Sequence, residues 1–476
     1  MGAPSWQTVR HSMRVGAYFI TMDYKEFIEA KQHTSINYGI NPNYLPDSMF
    51  DYQKYVTEIA IKKGRCAVFL DTGLGKTLIE LTIAKNYIKE FNKPVLIITP
   101  LAVAFQFIKE AEKFGIDDIC YSKDGKYKTK IVVCNYERLE HFNYSDFDCV
   151  ILDESSILKN FDGAIKQHIT TFLKKVKYRY LFTATPSPND FIELGTSSEA
   201  LGYLGYTDML TRFFTNNEDT ISPMNIGTEW ILKGHAKENF FKWVSSWSIS
   251  MRKPSDLGFD DSKHILPELI INYHAVKNEK NLVVNGQIQL FNQIAQRLTE
   301  VRVEQKDTIE KRCEVAVDLT QGHKTSVYWC NLNNEGDLLQ QLDKSAYQIK
   351  GSMDIDKKEE LLIGFFTGEI NRLITKPKMT AFGLNWQHCN HTVYFPTFSY
   401  EQYYQAIRRF WRFGQKRNVI VDMVYSDGQK RVLDSLTAKT AKANELFHKL
   451  NSNINKKYEI KTKGFDKQIT KPTWIK

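Results

Sequence analysis

Residues 66–77 of this 476-residue chain have the sequence CAVFLDTGLGKT, and this stretch decides the fold. Its first five residues, Cys66–Leu70, are continuously apolar, which is typical of a short strand buried on both faces of a parallel sheet. A turn with Gly73 and Gly75 follows, and the apolar spacing after the turn predicts a helix. A strand, a glycine turn and a helix in this order present backbone N–H groups and the positive end of the helix to a phosphate.

The side chains that close this turn suit a nucleoside triphosphate. In loops of this kind a lysine such as Lys76 reaches the β- and γ-phosphates, and a hydroxyl such as that of Thr77 holds Mg²⁺. The full pattern G-x-x-x-x-G-K-[ST] is not met, because Leu70 stands where its first glycine would be. We therefore predict a site for ATP and Mg²⁺ that uses the turn residues Thr72, Gly73, Leu74, Gly75, Lys76 and Thr77.

Two carboxylates follow another apolar run in the same part of the chain. Asp153 and Glu154 come directly after Val150–Leu152, at the C-terminal end of the predicted strand, where ligands bind in an open parallel sheet. Phosphoryl transfer to water needs a carboxylate that holds the metal and a group that orients or deprotonates the water. We predict that Asp153 holds Mg²⁺ and that Glu154 acts on the water.

The apolar runs and helical patterns fall into two stretches, which predicts an α/β fold with two tandem lobes built on parallel sheets. The predicted strands are Cys66–Leu70, Val95–Thr99, Ile131–Cys134, Cys149–Leu152 and Tyr180–Thr183, then Ser326–Cys330, Ala346–Ile349, Arg372–Ile374, Thr392–Phe395 and Val419–Val424. The predicted divisions are an N-terminal extension at 1–45, a first lobe at 46–214, an insertion with a linker at 215–266, a second lobe at 267–445 and a basic tail at 446–476. Aromatic residues at 230–247 are interpreted as packing on the first lobe, in preference to a strand-separating wedge.

The second stretch contains a predicted helix, Tyr400–Phe413, that is rich in arginine. Arg409 and Arg412 are three residues apart, and Arg408 and Arg412 are four apart, so each pair would share one side of a helix. One interpretation is an exposed basic face or a nucleic-acid surface. The other is that Arg409 and Arg412 reach the γ-phosphate held by the first lobe, an effect worth about 10³–10⁵ in rate.

Composition narrows the class of protein. The net charge is +9, and residues 456–476 carry seven lysines against two acidic residues, which indicates either a solvated end or an arm that touches phosphates. The seven cysteines show no C-x-x-C spacing, which argues against a disulfide framework and a zinc site. The cluster of His388, Cys389 and His391 is interpreted as loop residues. The scattered cysteines lead us to expect a reducing cytoplasm. No apolar run approaches the roughly 18 residues of a membrane span, so we expect no membrane partner.

Taken in order, these segments resemble a known series of motifs. Gln53, GLGKT at 73–77, DESS at 153–156, TATPSPND at 183–190 and QAIRRFWRFGQ at 405–415 resemble the motifs of superfamily-2 helicases, closest to the Swi/Snf-like DNA translocases. The likeness covers about residues 46–430. The segments LKGHAKENFFKW at 232–243 and MRKPSDLG at 251–258 resemble compact helicases of phage and prophage genomes.

The resemblance implies two RecA-like lobes with ATP in the cleft between them and nucleic acid across both. It implies that Gln53 reads the adenine and that Gly383 lies in a motif of the second lobe beside the nucleotide. It also implies contacts with a nucleic-acid backbone by Thr99, Pro100, Thr185, Thr380 and Asn385.

The chain departs from the family at two places. Ser155-Ser156 stands where Ala-His is usual, and Trp411 stands where His is usual, which bears on how hydrolysis is coupled to DNA contact. We expect a monomeric ATP-dependent motor in phage DNA replication or recombination, which meets proteins of those processes. It would move mainly on duplex DNA rather than on a single strand or fork. The alternatives are a strand-separating helicase on DNA or RNA, and a nucleotide-controlled DNA-binding scaffold with little motor activity.

Overall fold

Two parallel β-sheets organise the chain in the computed structural model, which describes residues 13–15, 18–20, 38–159, 163–216, 230–278, 283–284, 287–288, 298–380 and 385–452. The first sheet has seven described strands in the order Ser248–Met251, Arg65–Leu70, Tyr178–Thr183, Cys149–Leu152, Val95–Thr99, Ile131–Asn135 and Ile119–Tyr121. The second has six, in the order Leu269–Val276, Val419–Ser426, His391–Tyr394, Ser326–Trp329, Arg372–Thr375 and Ala346–Gln348. The α/β class with two parallel sheets is therefore confirmed.

Helices connect the strands and cover the sheets. The α-helices in the described residues are Asp51–Lys63, Lys76–Phe91, Leu101–Lys113, Ala164–Lys174, Leu194–Leu201, Tyr206–Phe213, Lys237–Trp247, Leu298–Asp307, Ile309–Leu319, Asn333–Leu342, Ile355–Thr367, Pro377–Thr380, Tyr400–Ile407 and Lys430–Asn451. None of these helices combines the length and the apolar character that a bilayer crossing requires.

Continuous apolar runs form the strands because both faces of each sheet are buried. Every residue of Val95–Thr99 is buried, as the sequence predicts for a central strand. In the second sheet Val327 and Trp329 contribute to one core cluster, whereas Tyr328 between them contributes to another. Alternate residues of a strand point to opposite faces, so two cores sandwich this sheet.

Short antiparallel pairs accompany the two large sheets. Phe214–Asn216 pairs with Trp230–Leu232, and Val283–Val284 pairs with Gln287–Ile288. Met13–Val15 pairs with Tyr18–Ile20 within the N-terminal extension.

The segment 215–266, predicted to be an insertion and linker, contributes directly to the first sheet. Its strand Ser248–Met251 pairs in parallel with Arg65–Leu70, the strand that leads into the glycine turn. Before that strand, Trp243 and Trp247 are buried, and Trp247 contacts Phe69 edge-on at a ring-centroid distance of 6.2 Å. These aromatic side chains therefore form part of the core of the first lobe.

The last described helix, Lys430–Asn451, extends beyond the predicted end of the second lobe at residue 445 and packs on this same part of the first lobe. Lys237 forms an ion pair with Glu445 at 2.6 Å, and the Ser250 hydroxyl donates to Asn451 Oδ1 at 2.6 Å. The predicted basic tail at 446–476 therefore begins inside this helix, and its lysine-rich part at 456–476 lies outside the described residues.

A buried carboxylate joins three strands of the second sheet. Asp422 accepts hydrogen bonds from His391 Nε2 and His274 Nε2 at 2.8 Å each, and from Asn272 Nδ2 at 2.9 Å. Burial alone would raise the pKa of this carboxyl, but the hydrogen bonds outweigh it and hold the pKa at about 2. His391, one of the three residues at 388–391 interpreted as loop residues, therefore lies at the start of a buried strand and binds this carboxylate.

Asp422→Asn is expected to lower the free energy of unfolding at pH 7 by about 2 kcal/mol. The folded pKa of Asp422 lies below the ordinary 3.8, so its contribution is complete above about pH 4 and is lost as the pH falls toward 2. Urea unfolding between pH 7 and pH 3 measures both effects. The gap between wild type and variant should narrow as the pH falls, whereas replacement of the exposed Asp434 by Asn should change neither curve. A constant gap would contradict the assignment.

Candidate active site between the two lobes

The glycine turn follows the strand Arg65–Leu70 and leads into the helix Lys76–Phe91. Gly73 and Gly75 have φ values of 84° and 80°, a left-handed conformation that side chains disfavour. A Cβ on Gly75 would also lie 2.2 Å from Gln53 Nε2, so a side chain there would displace the Gln53 amide. The backbone conformation therefore favours glycine at both positions.

The charged side chains of this turn form hydrogen bonds with the backbone of the loop. Lys76 Nζ donates to the carbonyls of Leu70 at 3.1 Å and Asp71 at 3.4 Å, so the ammonium lies inside the curve of the loop. The Asp71 carboxylate accepts from the backbone N–H of Thr72 at 2.6 Å. The ammonium is therefore positioned where the phosphates of a nucleotide would meet the loop.

Gln53, predicted to read an adenine, is bonded to the loop in this structure. Its Oε1 accepts from the Phe50 N–H at 2.9 Å, and its Nε2 donates to the Leu74 carbonyl at 3.0 Å. These bonds fix the first helix of the lobe against the glycine turn. The adenine contact stays a prediction.

An aromatic cluster that sequence reasoning missed lies beside the same turn. Phe50 and Phe413 both contact the ring of His264, at centroid distances of 5.2 and 4.9 Å, and Tyr52 OH lies 3.0 Å from His264 Nε2. Flat apolar rings beside a phosphate loop suit a nucleobase. No periodic signal in the sequence joins these residues, because they come from the first helix, the linker and the second lobe.

The acidic pair lies at the end of the strand Cys149–Leu152, as the sequence predicts. Asp153 Oδ2 accepts from the Thr99 hydroxyl at 2.9 Å. Burial raises the pKa of Asp153, and the charge of Lys76 opposes that rise. A cation beside Asp153 would relieve the desolvation, and the carboxylate and the Thr77 hydroxyl are the hard oxygen ligands that Mg²⁺ prefers. The donor set therefore fits Mg²⁺.

Glu154 is held in a strained and oriented state. Its φ of 47° is left-handed, a conformation that a non-glycine residue adopts at an energetic cost. Its Oε1 accepts from the Ser156 hydroxyl at 2.8 Å and from the Thr183 hydroxyl at 2.6 Å. Burial, followed by the nearby charge of Asp153, raises the pKa of Glu154 to about 7. A fixed carboxyl with a pKa near neutrality is suited to accept a proton.

The predicted helix Tyr400–Phe413 is wrong in its second half, because the helix ends at Ile407. The carbonyl of Arg409 accepts from the N–H of Trp386, a residue of another segment, at 3.0 Å. That bond directs the carbonyl away from a helical partner, so Arg409 and Arg412 lie in successive turns. Their proximity to each other therefore does not come from regular helix spacing.

The arginine-bearing segment of the second lobe nevertheless lies against the acidic pair and the glycine turn. Gln405 Nε2 donates to Glu154 Oε2 at 3.3 Å, and a Cβ on Gly73 would lie 3.0 Å from the Phe413 N atom. Arg409 is buried, and burial lowers its pKa well below the ordinary value, with a further decrease from the charge of Arg412 and an opposing increase from Glu154. The two lobes thus bring opposite charges together at this cleft.

Arg412 lies beside the loop as well. Burial lowers its pKa to about 10, which leaves it protonated at neutral pH, and the charges of Glu110 and Asp71 oppose the decrease. Among the described residues no acceptor lies within hydrogen-bonding distance of Arg412 Nε. One donor of this guanidinium therefore has no hydrogen-bond partner in the described chain.

The residues predicted to contact nucleic acid differ from one another in how far they are buried. Thr99 and Thr185 are 0% and 3% exposed, and the Thr99 hydroxyl donates to Asp153; their contacts with nucleic acid stay predictions. Pro100 and Asn385 are half-buried. Thr380 ends a short helix, Pro377–Thr380, and its side chain is not described. Gly383 lies outside the described residues.

Two family models match the chain, one on each lobe. The family described as DEAD/DEAH box helicase matches residues 50–193, and the family described as helicase conserved C-terminal domain matches residues 307–414. Together these ranges cover more than half of the chain. The chain therefore belongs to the superfamily-2 helicases, a class of ATP-hydrolysing enzymes.

Within that class the chain is similar to Swi/Snf-related proteins. It is 29% identical over 178 residues to the mouse (Mus musculus) DNA annealing helicase and endonuclease ZRANB3, covering 34% of this chain and 16% of that protein. It is 26% identical over 220 residues to the SWI/SNF-related matrix-associated actin-dependent regulator of chromatin subfamily A-like protein 1 of Xenopus tropicalis, covering 44% and 23%. The aligned part of the chain thus spans less than a quarter of the length of these relatives.

Proposed function

We propose that this protein is an ATP-dependent motor that moves along double-stranded DNA. The observation that carries the proposal is the contact of the second lobe with the acidic pair and the glycine turn, through Gln405 on Glu154 and Phe413 on Gly73. A cleft assembled from two lobes can open and close as a nucleotide binds and is hydrolysed, and such closure is how lobed enzymes complete a catalytic site.

In the proposed mechanism each lobe supplies a different part of the chemistry. Lys76 and the turn backbone bind the phosphates, and Thr77 and Asp153 would hold Mg²⁺, which when bound neutralises charge on the phosphates. Glu154 orients the attacking water and takes its proton. Arg409 and Arg412 of the second lobe balance the negative charge that develops in the transition state.

Several features support double-stranded DNA as the nucleic acid along which the protein moves. One relative is named a DNA annealing helicase, and the motif series of this chain resembles the Swi/Snf-like DNA translocases. The net charge of +9 favours an anionic partner. We propose contacts to the DNA backbone from the segments around Pro100, Thr185 and Thr380–Asn385. Contacts with phosphates rather than bases make such binding largely independent of sequence.

The same cleft would also serve two other functions, which differ from a duplex motor in their products. A strand-separating helicase would displace a strand from a fork, whereas a motor on intact duplex would displace a third strand from a triplex. A nucleotide-controlled scaffold would show weak hydrolysis without stimulation by nucleic acid. The proposed setting, phage DNA replication or recombination, rests on the resemblance of the segments at 232–243 and 251–258.

The decisive measurement is the ATPase rate with blunt duplex, single-stranded DNA, a fork and RNA, each at 50 mM and 200 mM salt. We expect the largest stimulation with blunt duplex, independent of its sequence. The duplex concentration that gives half-maximal stimulation should rise at least about tenfold at the higher salt, because lysine and arginine contacts with phosphates release counterions. Stimulation confined to a fork or to RNA would favour a strand-separating helicase, and no stimulation at all would favour the scaffold.

A further inference from the structure

The carboxylate of Asp71 connects the phosphate loop with the second lobe. Asp71 precedes the glycine turn, and its side chain accepts the Thr72 N–H of its own loop at 2.6 Å. The same carboxylate accepts from the Tyr404 hydroxyl and from the Arg408 guanidinium, which both belong to the second lobe. One side chain of the loop therefore receives donors from both sides of the cleft.

This contact is shielded from water. The side chains of Asp71 and Arg408 are 4% and 11% exposed. Arg408 also lies over the rings of Trp411 at 4.3 Å and Tyr404 at 5.2 Å, which fix its guanidinium in place. An ion pair in such a position is screened little by salt, and removal of one partner leaves the other charge buried and uncompensated.

Arg408 lies directly before the two arginines that are proposed to act on the phosphate. Arg408 is the first residue after the helix Tyr400–Ile407, and the two arginines proposed to act on the phosphate, Arg409 and Arg412, follow it in irregular turns. Turns hold side chains less firmly than a regular helix does. The segment is fixed to the loop at Arg408, so a charge-paired anchor precedes the two arginines directly.

We propose that Asp71 and Arg408 form an anchor between the lobes that positions Arg409 and Arg412 for ATP hydrolysis. Arg408 is a positioning residue in this arrangement, because its guanidinium donates to Asp71 and to the Trp411 carbonyl. The positioning role rests on the functions proposed above for Arg409 and Arg412, whereas the contact between Asp71 and Arg408 does not.

The kinetic test uses Arg408→Gln, Asp71→Asn and the double variant. Asn keeps an oxygen for the Thr72 N–H, so Asp71→Asn removes the charge pair while the loop keeps its own bond. Each single variant is expected to lower kcat by about 10-fold to 100-fold, the cost of misplaced catalytic groups. KM for ATP should change less than about twofold, because the phosphate-binding residues are untouched.

The double variant and two controls separate an anchor from general damage. The double variant should lose no more activity than either single one, because both substitutions remove the same interaction. Arg408→Lys keeps the charge and should recover part of kcat. Arg417→Gln, an exposed arginine a few residues later, should behave as wild type. Losses that multiply in the double variant, or an unchanged kcat in Arg408→Gln, would overturn the proposal.

Hydrogen exchange tests the anchor without turnover. In Arg408→Gln, amides of the helix Tyr400–Ile407 and of the loop at 71–75 should exchange faster than in wild type, and the melting profile should stay cooperative. Arg417→Gln should leave both segments unchanged. Equal exchange of these segments in wild type and Arg408→Gln would refute the anchor whatever the ATPase result. A wild type that does not hydrolyse ATP would refute the proposed function and the positioning role, while the exchange result would still decide whether Asp71 and Arg408 anchor the two lobes.

Discussion

Replacement of Glu154 by Gln is expected to lower kcat for ATP hydrolysis by about 10²–10⁴-fold, the range for loss of a general base. Gln has the shape of Glu and one oxygen that can still accept from Ser156 and Thr183, but it cannot take a proton from water. The substitution also avoids a backbone artefact, because Gln meets the same left-handed conformation at this position that Glu does. A steady-state ATPase assay with saturating duplex DNA measures the loss.

Two comparisons make the Glu154→Gln result specific. The variant should bind ATP as wild type does, whereas Lys76→Ala should lose binding as well as turnover, because Lys76 lies inside the loop that receives the phosphates. Glu140→Gln, a substitution of an exposed carboxylate, should change neither. Hydrolysis at the normal rate by Glu154→Gln would show that another group acts on the water.

Most of the fold was predictable because a strand buried on both faces appears in the sequence as a continuous apolar run. The predicted strand Val95–Thr99 has the same bounds in the structure, and the predicted Cys66–Leu70 differs by one residue. Three of the four described edge strands of the two large sheets were missed, Ile119–Tyr121, Ser248–Met251 and Leu269–Val276, whereas Ala346–Gln348 was predicted. Leu269–Val276 pairs on one side only and is mostly half-buried or exposed, so its sequence lacks the continuous apolar run that marks a central strand.

The candidate site was predictable where local sequence determines geometry, and less so where distant segments do. The glycine turn and the acidic pair lie where a strand-end pattern places them. The irregular turns after Ile407 depend on a bond from Trp386 to the Arg409 carbonyl, and no local pattern encodes that partner. For the same reason the contacts of Asp71 with the second lobe and of His264 with Phe413 could not be predicted, because they join residues that are distant in the sequence.

Thr99 and Gln53 each bond to the protein in this structure, and their predicted ligand contacts stay predictions. Both lie in segments that resemble motifs for ligand contact, but each side chain is engaged inside the lobe, Thr99 on Asp153 and Gln53 on the Leu74 carbonyl. A motif fixes which residue types meet at a site. It does not fix which of them face the ligand in one conformation of the cleft.

Replacement of Arg412 by Ala is expected to lower kcat by at least about 10³-fold, within the range for an arginine that stabilises a phosphoryl-transfer transition state. The guanidinium remains protonated, since its pKa is about 10, and it is only half-buried, so it can turn toward a phosphate without leaving a closed core. Its Nε has no acceptor within the described chain, so a bound γ-phosphate would satisfy a donor that the protein leaves open.

The measurement that separates this role from simple binding is single-turnover hydrolysis beside ATP affinity. Charge that develops only in the transition state predicts a loss in the hydrolysis rate with little change in ATP affinity. Arg412→Lys should recover only part of the rate, because an ammonium lacks the planar fork of donors. Arg417→Ala, a neighbouring exposed arginine, should retain full activity. A variant at Arg412 that binds ATP more weakly but hydrolyses it at the normal rate would place this arginine in nucleotide binding and remove it from the chemical step.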